Sequence, residues 1–244
     1  MSNESDVRRW KRSPAYKLSG VEWLEKVPVH WTVKPLKRSC GINQDVLSEE
    51  TPDDYELAYV DIGNVDSLGN ILSEQTLRFE NAPSRARRRV RRGDTIISTV
   101  RTYLRAISFM ESPPENRIVS TGFAVLRPSP EVEPKFLWRA VQSSEFVDAV
   151  VSHSEGIGYP AINPSQLGSL SICLPSLDEQ RRIVAFLDHE TAKLDSVIGG
   201  VQLLNKGQTL GKMGLLIERL QEYRSALISA AVTGKIDVRE ETKP

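Results

Sequence analysis

Two stretches, Gly156-Ile-Gly-Tyr-Pro-Ala-Ile-Asn163 and Leu174-Pro-Ser-Leu-Asp-Glu-Gln-Arg-Arg-Ile-Val-Ala-Phe-Leu187, bracket the point where this chain changes character. A loop of Gly, Tyr and Pro leads into a strand-like run from Leu170 to Leu174. Pro175 cannot donate to a ladder and ends that run. Asp178 and Glu179 then suit the positive start of an amphipathic helix. The order predicts an α+β protein: a mixed globule upstream and a long coiled-coil helical region downstream, over 176–240.

Downstream, Gln180, Ile183, Leu187, Glu190, Leu194, Val197, Val201 and Leu204 alternate spacings of three and four. This is an a/d seam, and an apolar seam needs a partner helix. It fails at Gly207, Gly211 and Gly214, each of which weakens a helix by about 1 kcal/mol relative to Ala. A second seam follows at Met213, Leu216, Leu220, Tyr223, Leu227 and Ala230, out of phase with the first. Removing Asn205 to Leu216 restores one register, and Leu215-Leu216 repeats Leu203-Leu204. The pattern reads as a twelve-residue insertion into a continuous helix, and twelve is not a multiple of the heptad.

Upstream, 16–175 is expected to form one globule behind a loose polar leader, 1–15. Strand-type runs stand at Ala58 to Ile62, Asp94 to Val100, Ala106 to Met110 and Gly122 to Leu126, separated by turn residues. One helix is expected from Pro134 to Val151, with Phe136, Leu137, Ala140, Val141, Phe146, Val147 and Val150 near helical spacing.

The 244 residues carry 32 basic and 32 acidic groups, so only the distribution of charge can point to a partner. Six arginines fall among the eight residues from Arg85 to Arg92: Arg85, Arg87, Arg88, Arg89, Arg91 and Arg92. Arg101, Tyr103 and Arg105 follow. Arginine contacts phosphate and forks onto guanine, so the cluster suits duplex DNA. A solvated or acid-paired patch is the other reading, and Gly93-Asp94 resembles a turn that opens a strand, so some arginines are expected to serve the fold. Ser154, Gly156, Gly158 and Tyr159 form a second candidate contact, with backbone freedom beside hydroxyl and aromatic groups. That loop also reads as a plain helix C-terminal turn.

Catalytic sets are missing. Gly207-Gln-Thr-Leu-Gly-Lys-Met213 is one residue short of a phosphate loop and lacks the following Ser/Thr. Asp53 and Glu133 only superficially echo a nuclease pair. His153 has no second ligand at metal spacing. No cofactor and no metal are expected. Cys40 and Cys173 are expected to be buried free thiols. With no apolar leader and no membrane-length run, a cytoplasmic protein is expected.

Beyond the opening stretches, Tyr16-Lys-Leu-Ser-Gly-Val-Glu-Trp-Leu-Glu-Lys-Val-Pro-Val-His-Trp31, Tyr59-Val-Asp-Ile-Gly-Asn64, Gly93-Asp-Thr-Ile-Ile-Ser-Thr-Val-Arg101, Ser120-Thr-Gly-Phe-Ala-Val-Leu126 and Glu222-Tyr-Arg-Ser-Ala-Leu-Ile-Ser-Ala-Ala-Val-Thr-Gly-Lys-Ile-Asp237 together resemble the DNA specificity (S) subunits of type I restriction–modification enzymes. The resemblance runs in order from Tyr16 to Val238. It implies a non-catalytic subunit that reads one half of a bipartite DNA site and docks methyltransferase and restriction subunits. With one recognition domain and one spacer helix, the chain resembles a half-subunit, which implies a homodimer or pairing with another half-subunit. Ile183, Leu187, Leu194, Val197, Val201, Leu204, Leu216, Leu220, Tyr223 and Leu227 are the expected pairing seam. The alternatives are a silent or degenerate specificity cassette and a coiled-coil DNA-binding adaptor. In the family the helix sets half-site spacing, so the insertion at 205–216 is expected either to alter spacing or assembly, or to bulge harmlessly.

Overall fold

The computed structural model describes residues 10–156, 158–204 and 212–241. In chain order, β1 (Tyr16–Val21), β2 (Leu24–Pro28) and β3 (Thr32–Pro35) precede β4 (Cys40–Ile42), β5 (Glu56–Val60), β6 (Gln75–Arg78) and β7 (Ala86–Arg89). Next come β8 (Thr95–Ser98), β9 (Ile107–Phe109), β10 (Arg117–Ser120) and β11 (Phe123–Pro128). The chain finishes with α1 (Pro134–Gln142), α2 (Ser144–Ser152), α3 (Pro164–Ser169), β12 (Ser171–Leu174), α4 (Leu177–Leu204) and α5 (Lys212–Val232). Two units emerge, one of Val33–Gln142 with Phe146–Ile172, the other of Met1–Thr32, Ser143–Glu145 and Cys173–Pro244.

The first unit contains two four-stranded sheets, ordered β6-β5-β10-β7 and β4-β11-β8-β9. All their pairings are antiparallel except β5 with β10. In that parallel pair Ile118 stands opposite Tyr59 and Val119 opposite Val60. Successive side chains point to opposite faces of a strand. Accordingly Tyr59 and Ile118 join one apolar cluster with Leu47, Leu57 and Ala86, while Val60 and Val119 join another with Ile96, Phe123 and Val125. The sheet is covered on both faces, so β5 reads as an apolar run rather than an alternation. On β11, Phe123 and Val125 belong to the second cluster, which turns Ala124 and Leu126 to the other face. There α1 packs on β8, β9 and β11 with Phe136, Leu137, Ala140 and Val141 buried.

The single helix expected from Pro134 to Val151 is two helices, α1 and α2, broken at Ser143. Serine competes for backbone partners and favours helix ends. The Ser144 N–H donates to the Ser229 hydroxyl at 2.8 Å, and the buried Ser143 belongs with it to the second unit.

In the second unit the boundary also differs from the expectation. Residues 10–32 group with the helices and not with the sheets. Glu179, in the first turn of α4, is buried and accepts from the Trp31 indole at 3.0 Å and from the His30 ring at 3.0 Å. Trp10 meets Phe186 edge-on with ring centroids 4.8 Å apart, and the Asp237 N–H donates to the Lys11 carbonyl at 2.7 Å. The described end of the leader is thus anchored; Met1 to Arg9 lie outside the described residues. Ser176 caps α4, its hydroxyl accepting from the Glu179 N–H at 3.3 Å.

The helical region is a hairpin of α4 and α5, which pack on each other. Asp195 of α4 meets Arg224 of α5 at 3.1 Å, and Arg182, nearer the start of α4, reaches the Arg239 carbonyl beyond the end of α5. The pairing therefore runs antiparallel. Ile183 and Leu187 of the expected seam are buried, as is Leu227; Leu194, Val201, Leu220 and Tyr223 are half-buried. Val197 is exposed and Ile198 takes its place in the interior. At the start of α5, Leu216 is exposed together with Met213 and Leu215. Much of the seam is thus covered within the chain, where a partner helix from elsewhere was expected. Of the proposed insertion at 205–216, Asn205 to Gly211 lie outside the described residues, and Lys212 to Leu216 belong to α5. Both cysteines are buried and free; burial pushes their thiols up to about 12. Among the described residues no helix is long and apolar enough to cross a membrane.

Candidate nucleic-acid interface

Strands β8 and β9 are joined by a short turn, Thr102–Leu104, whose flanking residues Arg101 and Arg105 both adopt the left-handed conformation, at φ 51° and 55°. Such backbone costs a non-glycine residue about 1 kcal/mol and persists only where surroundings over-determine it. Three contacts do so. The Arg101 N–H donates to the Pro160 carbonyl at 2.8 Å, and the Ile162 N–H to the Thr99 carbonyl at 2.9 Å. Thr102 is buried, with its hydroxyl 2.9 Å from that of Ser154. Ser154 gives its own proton to the Val150 carbonyl at 2.7 Å, so Thr102 is the donor to Ser154.

The loop after α2 is built to meet this turn. Glu155 and Ala161 exchange N–H bonds of 2.9 Å in both directions, closing a tight loop whose Gly156 and Gly158 have φ of 112° and 83°. A Cβ at Gly158 would meet nothing within 4 Å. Gly158 is thus there for positive φ alone, whereas at Gly156 a Cβ would also stand 3.3 Å from the Tyr159 carbonyl oxygen. Tyr159, 65% exposed, lies under Arg101, whose guanidinium carbon is 4.5 Å from the ring centroid. A cation over an aromatic face at an exposed site contributes about 0.5–1 kcal/mol. Arg105 reaches Asp148 of α2 at 3.4 Å. Arg101, by contrast, makes no ion pair among the described residues.

The surface so formed presents Arg101, Tyr103, Leu104, Arg105 and Tyr159, all exposed, over a base of buried or half-buried Thr102 and Ser154. Two segments that the sequence read separately, Arg101 to Arg105 and Ser154 to Tyr159, meet here. Leu104 was missed because an isolated leucine carries no signal by itself.

The arginine run behaves differently. Arg85 pairs with Asp61 at 2.5 Å and donates to the Tyr59 hydroxyl at 3.1 Å; Arg91 pairs with Asp45 at 2.5 Å. Burial pushes the Asp61 carboxyl up, but the Arg85 bond, the Ile62 N–H and the Arg85 charge outweigh it and hold it below the ordinary carboxylate range. Arg87 lies over the Phe79 ring at 4.9 Å and Arg89 over Tyr55 at 6.0 Å. Arg88 is half-buried, and burial pulls its guanidinium down. Arg92 is exposed and has no ion pair among the described residues. Two of these charges are paired with acids at the surface of the same unit, so the acid-paired reading describes Arg85 and Arg91. The Gly93-Asp94 turn forms as expected, with Gly93 at φ 88°. Asp94 is buried, accepting from the Arg91 N–H at 2.9 Å and from Arg127 at 2.9 and 2.7 Å.

Residues 89–197 match the type I restriction modification DNA specificity domain, a span that includes the Arg101–Tyr159 surface and most of α4. The chain is 26% identical over 126 residues to the type I restriction enzyme HindI specificity subunit of Haemophilus influenzae, covering 48% of this chain and 28% of that protein. It is 28% identical over 111 residues to the StySPI specificity subunit of Salmonella potsdam, covering 46% of this chain and 21% of that one. Among solved structures it resembles the HsdS subunit of Thermoanaerobacter tengcongensis, at TM-score 0.65 and 31% identity over 74% of this chain and 47% of the other. A chain from a structural study of complex assembly and conformational transition in the type I R-M system matches at TM-score 0.66 and 32% identity, with the same coverage. The match thus spans about half the length of the solved relatives and about a quarter of the curated ones. Domain match, sequence relatives and fold agree: residues 89–197 match a type I restriction modification DNA specificity domain, and the chain resembles type I restriction–modification specificity subunits in sequence and in fold.

Proposed function

We propose that the chain is a non-catalytic DNA specificity component of a type I restriction–modification assembly. Its first unit binds duplex DNA through Arg101, Tyr103, Arg105 and Tyr159 and reads one half of a bipartite site. Its helical unit docks the methyltransferase and restriction subunits and pairs with a second helical unit, in the cytoplasm. Sequence reading comes from this chain, and the chemistry on DNA comes from its partners.

One observation carries the DNA-binding assignment. Arg101 is a cation without a carboxylate partner among the described residues, held on a rigid turn over an exposed aromatic ring. Phosphate and the guanine edge are what such a guanidinium recognises. Pairing through the helical unit is supported by Val197, Met213, Leu215 and Leu216, which leave apolar surface uncovered on the α4–α5 hairpin.

Binding of the full chain to duplex DNA, followed by fluorescence anisotropy across a salt series, tests the reading. Affinity is expected to fall linearly with salt on logarithmic axes and to drop in Arg101→Ala and in Tyr159→Ala. Unaltered binding in both variants would sink the assignment. Methylation mapping with the methyltransferase partner then gives the bipartite site.

A further inference from the structure

The Arg101–Arg105 turn exposes more than charge. Leu104 is 41% and Tyr103 53% exposed, on a turn whose next residue inward, Thr102, is 4% exposed. Leu72, elsewhere in the same unit, is more exposed still at 66%. Leu104 differs from it in standing between two cations, on a backbone held left-handed at both ends. Surface leucines scattered singly need no explanation; one carried on a strained, hydrogen-bonded turn beside Arg101 and Tyr159 does.

We infer that Thr102–Leu104 is a specificity-determining finger and that Leu104 reads the C5 methyl group of a thymine in the major groove. The inference rests on the DNA-binding reading above and adds to it the chemical class of base contacted. Leucine has neither donor nor acceptor, so base-edge hydrogen bonding is closed to it. The apolar feature that a base pair offers in the major groove is the thymine methyl, and the minor groove offers none. Arg101 and Arg105 supply charge complementary to the phosphates on either side. The finger is set before DNA arrives, because the Thr102–Ser154–Val150 hydrogen-bond chain and the Arg101–Pro160 bond already hold it. Ordering it therefore adds little to the cost of binding.

The test uses the full chain and a randomised duplex library, from which the preferred sequence is selected. Each preferred thymine is then replaced in turn by uracil, which removes only the methyl. At one position the wild-type chain is expected to lose about four-fold in affinity, the equivalent of one buried carbon. Leu104→Ala is expected to be blind to that replacement and to select the position less strictly, while Leu72→Ala behaves as wild type. If uracil is accepted at every thymine, the inference is overturned. The same holds if Leu104→Ala weakens all duplexes alike, as an unspecific wedge would. Both results leave the DNA-binding reading standing. If the wild-type chain selects no sequence, that reading fails, and the inference with it.

Discussion

Arg101 carries two roles that substitution can separate. Its side chain supplies the free cation, and its backbone sits at φ 51°. Arg101→Ala removes the first and keeps the strain, so binding is expected to weaken by about 1–3 kcal/mol if it reads a base. Arg101→Gly removes both. It should bind as poorly as the alanine variant while its thermal midpoint stands higher, because glycine takes positive φ freely. Equal midpoints, measured by calorimetry, would show that the turn is not strained. Asp61 supplies a prediction in pH. Its folded carboxyl lies below the ordinary 3.8, so it contributes stability above that value and loses it as pH falls through the folded pKa. Asp61→Asn should flatten the acid limb of stability below about pH 4 and leave Arg85 free. With Arg85 free, the salt dependence of DNA binding should steepen, which salt-series anisotropy would detect.

Elements obey local rules until something distant intervenes. The strands expected around Ala58, Asp94, Ala106 and Gly122 formed as β5, β8, β9 and β11, because alternating or continuous apolar runs bounded by turn residues leave few other ways to bury them. The helix break at Ser143 was hidden, since the apolar spacing runs through it and the Ser229 hydroxyl that receives the Ser144 N–H lies 85 residues away in sequence. Gly234 shows how an element ends. It closes α5 at φ 74°, and a Cβ there would stand 2.4 Å from the Pro28 ring. Gly234→Ala therefore faces both left-handed strain and a clash. We expect a loss of about 2–3 kcal/mol, combining backbone strain with overpacking, read as a lower urea midpoint. An unchanged midpoint would mean that the β2–α5 packing yields easily.

For the molecule as a whole, the helical hairpin changes what the Gly-rich segment means. The seam's two phases were read as an interrupted continuous helix, whereas α4 and α5 fold back on each other. Deleting 205–216 removes the connection and restores one heptad register, so the two helices are expected to fuse. A fused helix would lose its own α5 as cover and expose Ile183, Leu187 and Leu194 to a second copy. Sedimentation should then show tighter self-association than in the wild-type chain. Unchanged sedimentation and unchanged methylation spacing would mean that the segment is a neutral decoration.

The sequence by itself determined the change from sheet-rich to helical chain at Pro175, the strands β5, β8, β9, β11 and β12, the turn at Gly93-Asp94 and the family resemblance. All of these rest on local periodicity, on proline and glycine backbone limits and on the order of short motifs. It also singled out Arg101 and Tyr159 as candidates, though not that the guanidinium of one lies over the ring of the other. Only the tertiary structure decided which charges are free. Arg85 and Arg101 look alike in the sequence, but Asp61 stands beside one and an aromatic ring beneath the other. Partners 24 to 58 residues away leave no local pattern, since contact between distant segments is set by packing of the whole sheet and not by spacing along the chain. The same reason hid the Trp31–Glu179 anchor and the antiparallel return of α5.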